Sequence, residues 1–191
     1  MTDHQYRAAM EKLKKELAPS RYRHILRTVG LAKHLARKFK VNQKQAMLAA
    51  AFHDCGKYDS LQTQRRHIKI WKVSLNAFEK NTPALWHAPL GAVLARRHGV
   101  RDQAVLNAIR RHTTADSNMT KLDMITYLAD ALEPGRRFPG ISHIRRLASR
   151  SLRQAFREAL RLKMIHVLQQ GNPLHPKALA AWNSMSGRQN L

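Results

Sequence analysis

Apolar residues recur along this chain with a helical period almost from end to end, and the strict alternation of a half-buried strand is absent. Side chains share a face about every 3.6 residues in a helix and every second residue in a strand, so the pattern points to an all-α fold. The spacing predicts helices over 4–17, 21–39, 43–55, 63–79, 89–98, 102–113, 119–132, 142–170 and 176–186. Gly56 and Gly99 are helix stops, the latter after the cationic turn Arg96-Arg97-His98. Pro89 suits the first turn of a helix and disfavours a helical Ala88, which places His87 at a break. The main internal boundary is EPGRRFPG at 133–140. Its Gly135 and Gly140 have the spacing of a phosphate loop, but Ile141-Ser142 replace the required Lys and Ser/Thr and no strand precedes, so that motif is excluded.

At roughly 150 residues per domain, 191 residues make one domain, and 43 % hydrophobic residues suffice for a core. The expected layout is a single helical domain over 1–185, with an N-terminal helix in 1–20, C-terminal helices in 142–185 and a tail at 186–191. One cysteine excludes a disulfide framework and a Cys-based zinc site. The longest apolar run, Ala46 to Phe52, is far short of the ~20 residues that span a bilayer, so no membrane association is expected. The first residues carry acids and no apolar stretch, so a soluble, cytoplasmic protein without a signal peptide is expected.

Lys and Arg number 35 against 12 Asp and Glu, a net charge of +23. Such a charge attracts polyanions such as RNA, nucleotides or anionic lipid, and a solvated surface in a basic proteome produces the same balance. Within 142–170, Ile144, Leu147, Ala148, Ala155, Ala159 and Leu160 form an inward face. Arg146, Arg150, Arg153, Arg157 and Arg161 form a stripe that suits an anion or an ordinary wet face.

Polar residues on apolar helix faces say more, because burying such a group is costly unless it is paired or bound to metal. His24 shares a face with Thr28, Leu31 and Leu35. His53-Asp54 ends the nearly all-apolar AMLAAAFHDCGK. His87 stands at the break in LWHAP, His112 continues the Val105, Ala108, Ile109 face, and Asp130 is embedded in ITYLADAL. One inward histidine is commonly a hydrogen-bonded core residue. Five segments each supplying an inward ligand type form a set suited to a divalent metal pair.

The order His…His-Asp…His…His…Asp on helices resembles the HD-domain metal-dependent phosphohydrolases. RYRH at 21–24, AAAFHDCGK at 49–57, LWHAPLGA at 85–92, AIRRHTT at 108–114 and MTKLDMITYLADALEPGRRFPG at 119–140 look like the YqeK family of symmetrical bis(5′-nucleosyl)-tetraphosphatases. The resemblance implies a single all-α HD-domain bundle with a two-metal site, iron foremost, with manganese, zinc or nickel also fitting such ligands. By position, the metal ligands would be His24, His53, Asp54, His87, His112 and Asp130. A water activated by the metals would attack a central phosphorus of diadenosine tetraphosphate to give two ADP, with Asp54 and Lys57 as catalytic residues. Lys57, Arg110, Thr113 and Arg136 are the expected substrate contacts, since ammonium, guanidinium and hydroxyl groups suit phosphate oxygens. Glu133 is expected to orient a ligand or Arg136.

The chain departs from the family where Ala115 replaces a usual glycine, where Asp116-Ser117-Asn118 follow instead of a basic residue, and where Arg111 replaces a residue that is often aromatic. These changes bear on substrate preference. They keep open another HD nucleotide phosphohydrolase acting on nucleoside phosphates or alarmones, and an RNA- or ribosome-associated protein with a vestigial HD site. The oligomeric expectation is a monomer or homodimer. The histidines His4, His34, His67, His98, His143, His166 and His175 are expected at the surface or at caps, Cys55 as a small helix residue, and Trp71, Trp86 and Trp182 in the core.

Overall fold

Short polar side chains set where the helices begin. Asn42, Ser60, Asp102 and Ser151 each accept a hydrogen bond from the first turn that follows them. Asn76 and Thr120 go further, forming reciprocal capping boxes with Glu79 and Asp123. The computed structural model describes residues 3–58 and 60–186. Its helices are α1 (Asp3–Glu16), α2 (Pro19–Lys38), α3 (Gln43–Phe52), α4 (Leu61–Ile70), α5 (Ala77–Lys80), α6 (His87–Arg97), α7 (Gln103–Arg111), α8 (Lys121–Leu132), α9 (Ile141–Ala148), α10 (Leu152–Gln169) and α11 (Pro176–Ser186). A 3-10 turn, Pro83–Leu85, leads into α6. The described residues contain no strand, so the fold is all-α. No described helix is long and apolar enough to cross a membrane.

Helix α3 is the hub. Ala46, Ala49, Ala50 and Ala51 are fully buried, and small side chains let α2, α7 and α8 pack against it closely. Ile25, Leu90, Ile109, Ile125 and Leu128 fill the space around it. The contact is closest just after α3. A Cβ on Gly56 would lie 2.7 Å from the backbone nitrogen of Gly91 and would strike the carbonyl of His87. Gly56 thus allows the turn after α3 to lie on the start of α6, which holds His53-Asp54 opposite His87.

Several predicted boundaries move. The segment 63–79 is not one helix: α4 stops at Ile70, and Lys72 takes a left-handed conformation (φ 49°) while the Val73 N–H bonds back to the Ile68 carbonyl. That is a Schellman ending, and it outweighs the apolar spacing beyond it. The segment 142–170 is also two helices. Ser151, extended at φ −144°, opens α10 as a cap, so the five arginines do not line one helix. Arg146 is on α9 and Arg150 in the turn; on α10, Arg157 lies over Trp182 and Arg161 pairs with Glu158. Ala88 is helical despite Pro89, because a proline in the first turn removes no intrahelical hydrogen bond.

Trp86 is in the core and donates to the Glu79 carbonyl at 2.7 Å. Trp71 and Trp182 are half-buried: each packs against the edge of the core and turns a face to a guanidinium, Arg97 and Arg157 respectively. His175 caps α11 but is buried rather than on the surface. Ser186 belongs to α11, and the rest of the expected tail, 187–191, lies outside the described residues.

Replacing Gly56 by Ala should cost about 2 kcal/mol of stability through overpacking against backbone, which lowers the melting temperature by about 4–8 °C in a domain of this size. Thermal unfolding followed by circular dichroism checks this; an unchanged melting temperature would show that the turn has room to move.

Candidate metal centre

Six side chains from five helical segments meet at one place. His24 comes from the second turn of α2, His53-Asp54 from the turn after α3, His87 from the start of α6, His112 from the end of α7 and Asp130 from the last turn of α8. Each imidazole is tethered by Nδ1. His53, His87 and His112 donate to the carbonyls of Ala50, Ala84 and Ile109 at 2.7, 2.9 and 2.6 Å. His24 Nδ1 is 3.2 Å from the Glu133 carboxylate. These acceptors place the proton on Nδ1 and leave a lone pair on every Nε2.

The four Nε2 atoms turn to the same centre. His24 and His53 approach to 3.2 Å, and His87 and His112 to 3.3 Å. Asp54 lies between the two pairs. Its Oδ2 is 3.7 Å from His53 Nε2 and 4.0 Å from His24 Nε2, whereas Oδ1 is 3.8 Å from His87 Nε2 and 3.7 Å from His112 Nε2. Asp130 Oδ1 closes the first pair, 3.1 Å from His24 Nε2 and 3.7 Å from His53 Nε2. Two overlapping triads, His24-His53-Asp130 and His53-Asp54-His112, have all ligand atoms within 4.8 Å of one another.

The donor chemistry fits a divalent metal. Facing lone pairs at these distances repel unless a cation or a proton stands between them. The buried Oδ1 of Asp54 accepts no hydrogen bond, although the Lys57 ammonium is 3.0 Å away and donates to Oδ2 at 3.0 Å. Burial would raise the pKa of Asp54, but His53, His112 and Lys57 hold it well below the usual carboxylate range. Burial acts the same way on Asp130 and is outweighed by His24 and His53. Burial, reinforced by the proximity of His112, pushes His87 down to about 3, so its ring is neutral. Two carboxylates and imidazole lone pairs are the donors that such metals take.

Around the centre the expected phosphate contacts divide. Thr113 Oγ1 lies 3.0 Å from the Nε2 atoms of both His87 and His112. Lys57 and Arg136 also reach the centre, Arg136 by donating to Asp130 Oδ1 at 2.6 Å. Arg110 instead pairs with Glu79, 3.0 Å away and buried. Glu133 orients His24 rather than the Arg136 side chain. Its carboxylate accepts from His24, from the Arg27 guanidinium and from the Gly135 N–H. Burial favours the neutral acid, but Arg27, Gly135 and His24 bring it down to about 2.

Two of these residues escaped the sequence reading. Arg27 follows His24 by three positions, one helical turn on, and that i, i+3 spacing was the available signal. Glu79 had only its place in a capping box. The altered loop after His112 is pinned at three points. Ala115 is buried with φ 59°, Arg111 binds Asp123 at 2.8 Å, and Asp116 binds Lys177 of α11 at 2.9 Å.

This helical bundle and its His/Asp centre define a metal-dependent hydrolase class: residues 21–135 match the HD domain family, and the chain belongs to it. Within that class it belongs with the symmetrical bis(5′-nucleosyl)-tetraphosphatases. It is 35 % identical to the Bacillus subtilis protein of that name over 176 residues, 92 % of this chain and 94 % of the relative. It is 30 % identical to the Staphylococcus aureus protein of the same name, with 89 % of each covered. A solved structure described as a predicted HD superfamily hydrolase involved in NAD metabolism, from Clostridium acetobutylicum, superposes with a TM-score of 0.90 at 30 % identity, covering 96 % of this chain and 98 % of that one.

Replacing Glu133 by Gln should lower affinity for divalent metal about 10–100-fold while leaving helix content intact, because His24 loses its anionic anchor. Metal titration and far-ultraviolet circular dichroism check this. Wild-type affinity in the variant would show that Glu133 serves the loop alone.

Proposed function

We propose that the protein is a cytoplasmic, metal-dependent hydrolase that cleaves diadenosine tetraphosphate symmetrically into two ADP. The names of the Bacillus subtilis and Staphylococcus aureus relatives support the substrate. The observation that carries the reading is the convergence of four Nε2 atoms on a buried carboxylate with one oxygen toward each imidazole pair. On this reading two ions would be held, one by His24, His53, Asp54 and Asp130 and the other by His87, His112 and Asp54. Iron is the favoured metal, with manganese, zinc or nickel fitting the same donors. Bound divalent cations lower the pKa of a water and neutralise charge on phosphoryl oxygens.

The chain's own groups do the rest. The Lys57 ammonium lies beside Asp54 and takes phosphate oxygens that come near it. Arg136 offers a guanidinium fork from the rim, and Thr113 a hydroxyl beside His87 and His112. Arg110 reaches a phosphate only with donors that Glu79 does not take. The pinned loop at 115–118 favours a second reading within the same chemistry, a preference for another nucleotide. Exposed Arg146, Arg150 and Arg153 suit RNA or another polyanion as a further partner, to be held less tightly as salt rises.

Metal-loaded protein incubated with diadenosine tetraphosphate should yield two ADP and no AMP or ATP by chromatography. The Asp54→Ala variant should lose both turnover and bound metal while keeping its helix content. AMP plus ATP would mean an off-centre cut, and full activity in the variant would remove Asp54 from the reaction.

A further inference from the structure

Among the described residues two glutamates are buried, and one of them, Glu133, anchors His24. The other, Glu79 of α5, is 4 % exposed and bonds to two segments that each carry a ring of the centre. Its carbonyl accepts the Trp86 Nε1–H at 2.7 Å, and Trp86 directly precedes His87. Its carboxylate accepts from Arg110 Nη2 at 3.0 and 3.4 Å, and Arg110 stands two residues before His112. One residue therefore ties the start of α6 to the last turn of α7. The tie is itself anchored. The Asn76 N–H donates to Glu79 Oε2 at 2.9 Å, and the Glu79 N–H donates to Asn76 Oδ1 at 2.8 Å. Asn76 Nδ2 in turn lies 3.3 Å from His175 Nε2, just before α11.

The rings on these segments need such a tie. His87 and His112 face each other through Nε2 at 3.3 Å, each with its Nδ1 donating to a carbonyl. Thr113 Oγ1 lies 3.0 Å from both Nε2 atoms, but one hydroxyl has one proton and satisfies one lone pair. Without a cation between them the facing lone pairs push α6 and α7 apart. Glu79 opposes that motion from the interior. A buried carboxylate is held firmly on its guanidinium, because separating them leaves a charge buried and unpaired. A site kept in its bound geometry also binds more tightly, because less ordering remains to be done when the ligand arrives.

We propose that Glu79 is a positioning residue for the metal centre: it braces His87 against His112 and so raises the affinity for the ion held on their side. The proposal rests on the two-ion reading of the site. It gives each imidazole pair its own buried glutamate. Glu133 acts on the first pair by a direct bond to the His24 ring, and Glu79 acts on the second through the segments on which the rings stand.

The test titrates manganese into full-length protein stripped of metal, with thermal unfolding of the metal-free proteins alongside. Wild type is compared with Glu79→Gln, Trp86→Phe, His87→Ala and the Glu79→Gln/His87→Ala double variant. Glu79→Gln keeps a side chain that a capping box accepts, keeps the carbonyl bond to Trp86, and removes the charge that faces Arg110. Trp86→Phe removes the other arm of the tie. Wild type should bind two ions per chain. Glu79→Gln should weaken one of them about 10-fold and leave the other within about twofold of wild type. The weakened ion should be the one that His87→Ala abolishes, and Trp86→Phe should weaken the same one. The double variant should then bind manganese as His87→Ala does. Equal weakening of both ions would overturn the proposal by leaving Glu79 a general structural role, as would two unchanged affinities, whatever the melting temperature does. If wild type binds one ion, the two-ion reading fails by itself. The cycle then decides Glu79: non-additive weakening by Glu79→Gln and His87→Ala supports the brace, and additive weakening overturns it.

Discussion

Removing an ionised carboxylate from water is expensive unless the protein returns the lost interactions, and Asp54 and Asp130 are held beside four imidazoles in the interior of this bundle. The surrounding architecture follows from meeting that cost. Each histidine is anchored through Nδ1, so its other nitrogen has one direction to face. Three anchors are carbonyls one turn back in the chain, which ties ring orientation to helix geometry. The fourth is Glu133, itself gripped by Arg27 and by the Gly135 N–H. The alanines of α3 and the bare backbone of Gly56 then let five segments approach closely enough for the six side chains to meet.

The scarcity of acids gives their placement weight. With 12 acids against 35 Lys and Arg, the chain buries Asp54, Glu79, Asp123 and Glu133. Each of these holds a cation or a ligand in place: Lys57, Arg110, Arg111, and His24 with Arg27. Each buried acid takes a cation with it, so the surplus of +23 stays with the rest of the chain, and a field of that sign attracts polyanions such as a polyphosphate. Arg145 adds to the same economy without any acid, by binding the carbonyls of Leu132 and Glu133 and so fixing the loop that carries Arg136.

Much of this was legible in the chain. Helical periodicity marked nearly every element, and the inward histidines and aspartates marked the centre, because a polar group on an apolar face is informative in one dimension. Helix ends were less legible. The Schellman ending at Lys72 and the cap at Ser151 involve single residues whose backbone angles override the apolar spacing around them. The arginine stripe looked continuous because sequence spacing assumes an unbroken helix.

Pairing is where sequence reading stopped. Arg110 and Arg136 look alike in a basic chain, yet one is held by buried Glu79 and the other reaches Asp130. The sequence by itself determined the helical class, the identity of the six candidate ligands and their order. Tertiary structure alone decided which Asp54 oxygen faces which imidazole pair, which cations stand at the rim and which residue anchors His24. The physical reason is range: periodicity and capping act within a turn or two of chain, whereas lone pairs, ion pairs and phosphate contacts depend on distances of a few ångströms between segments far apart in sequence.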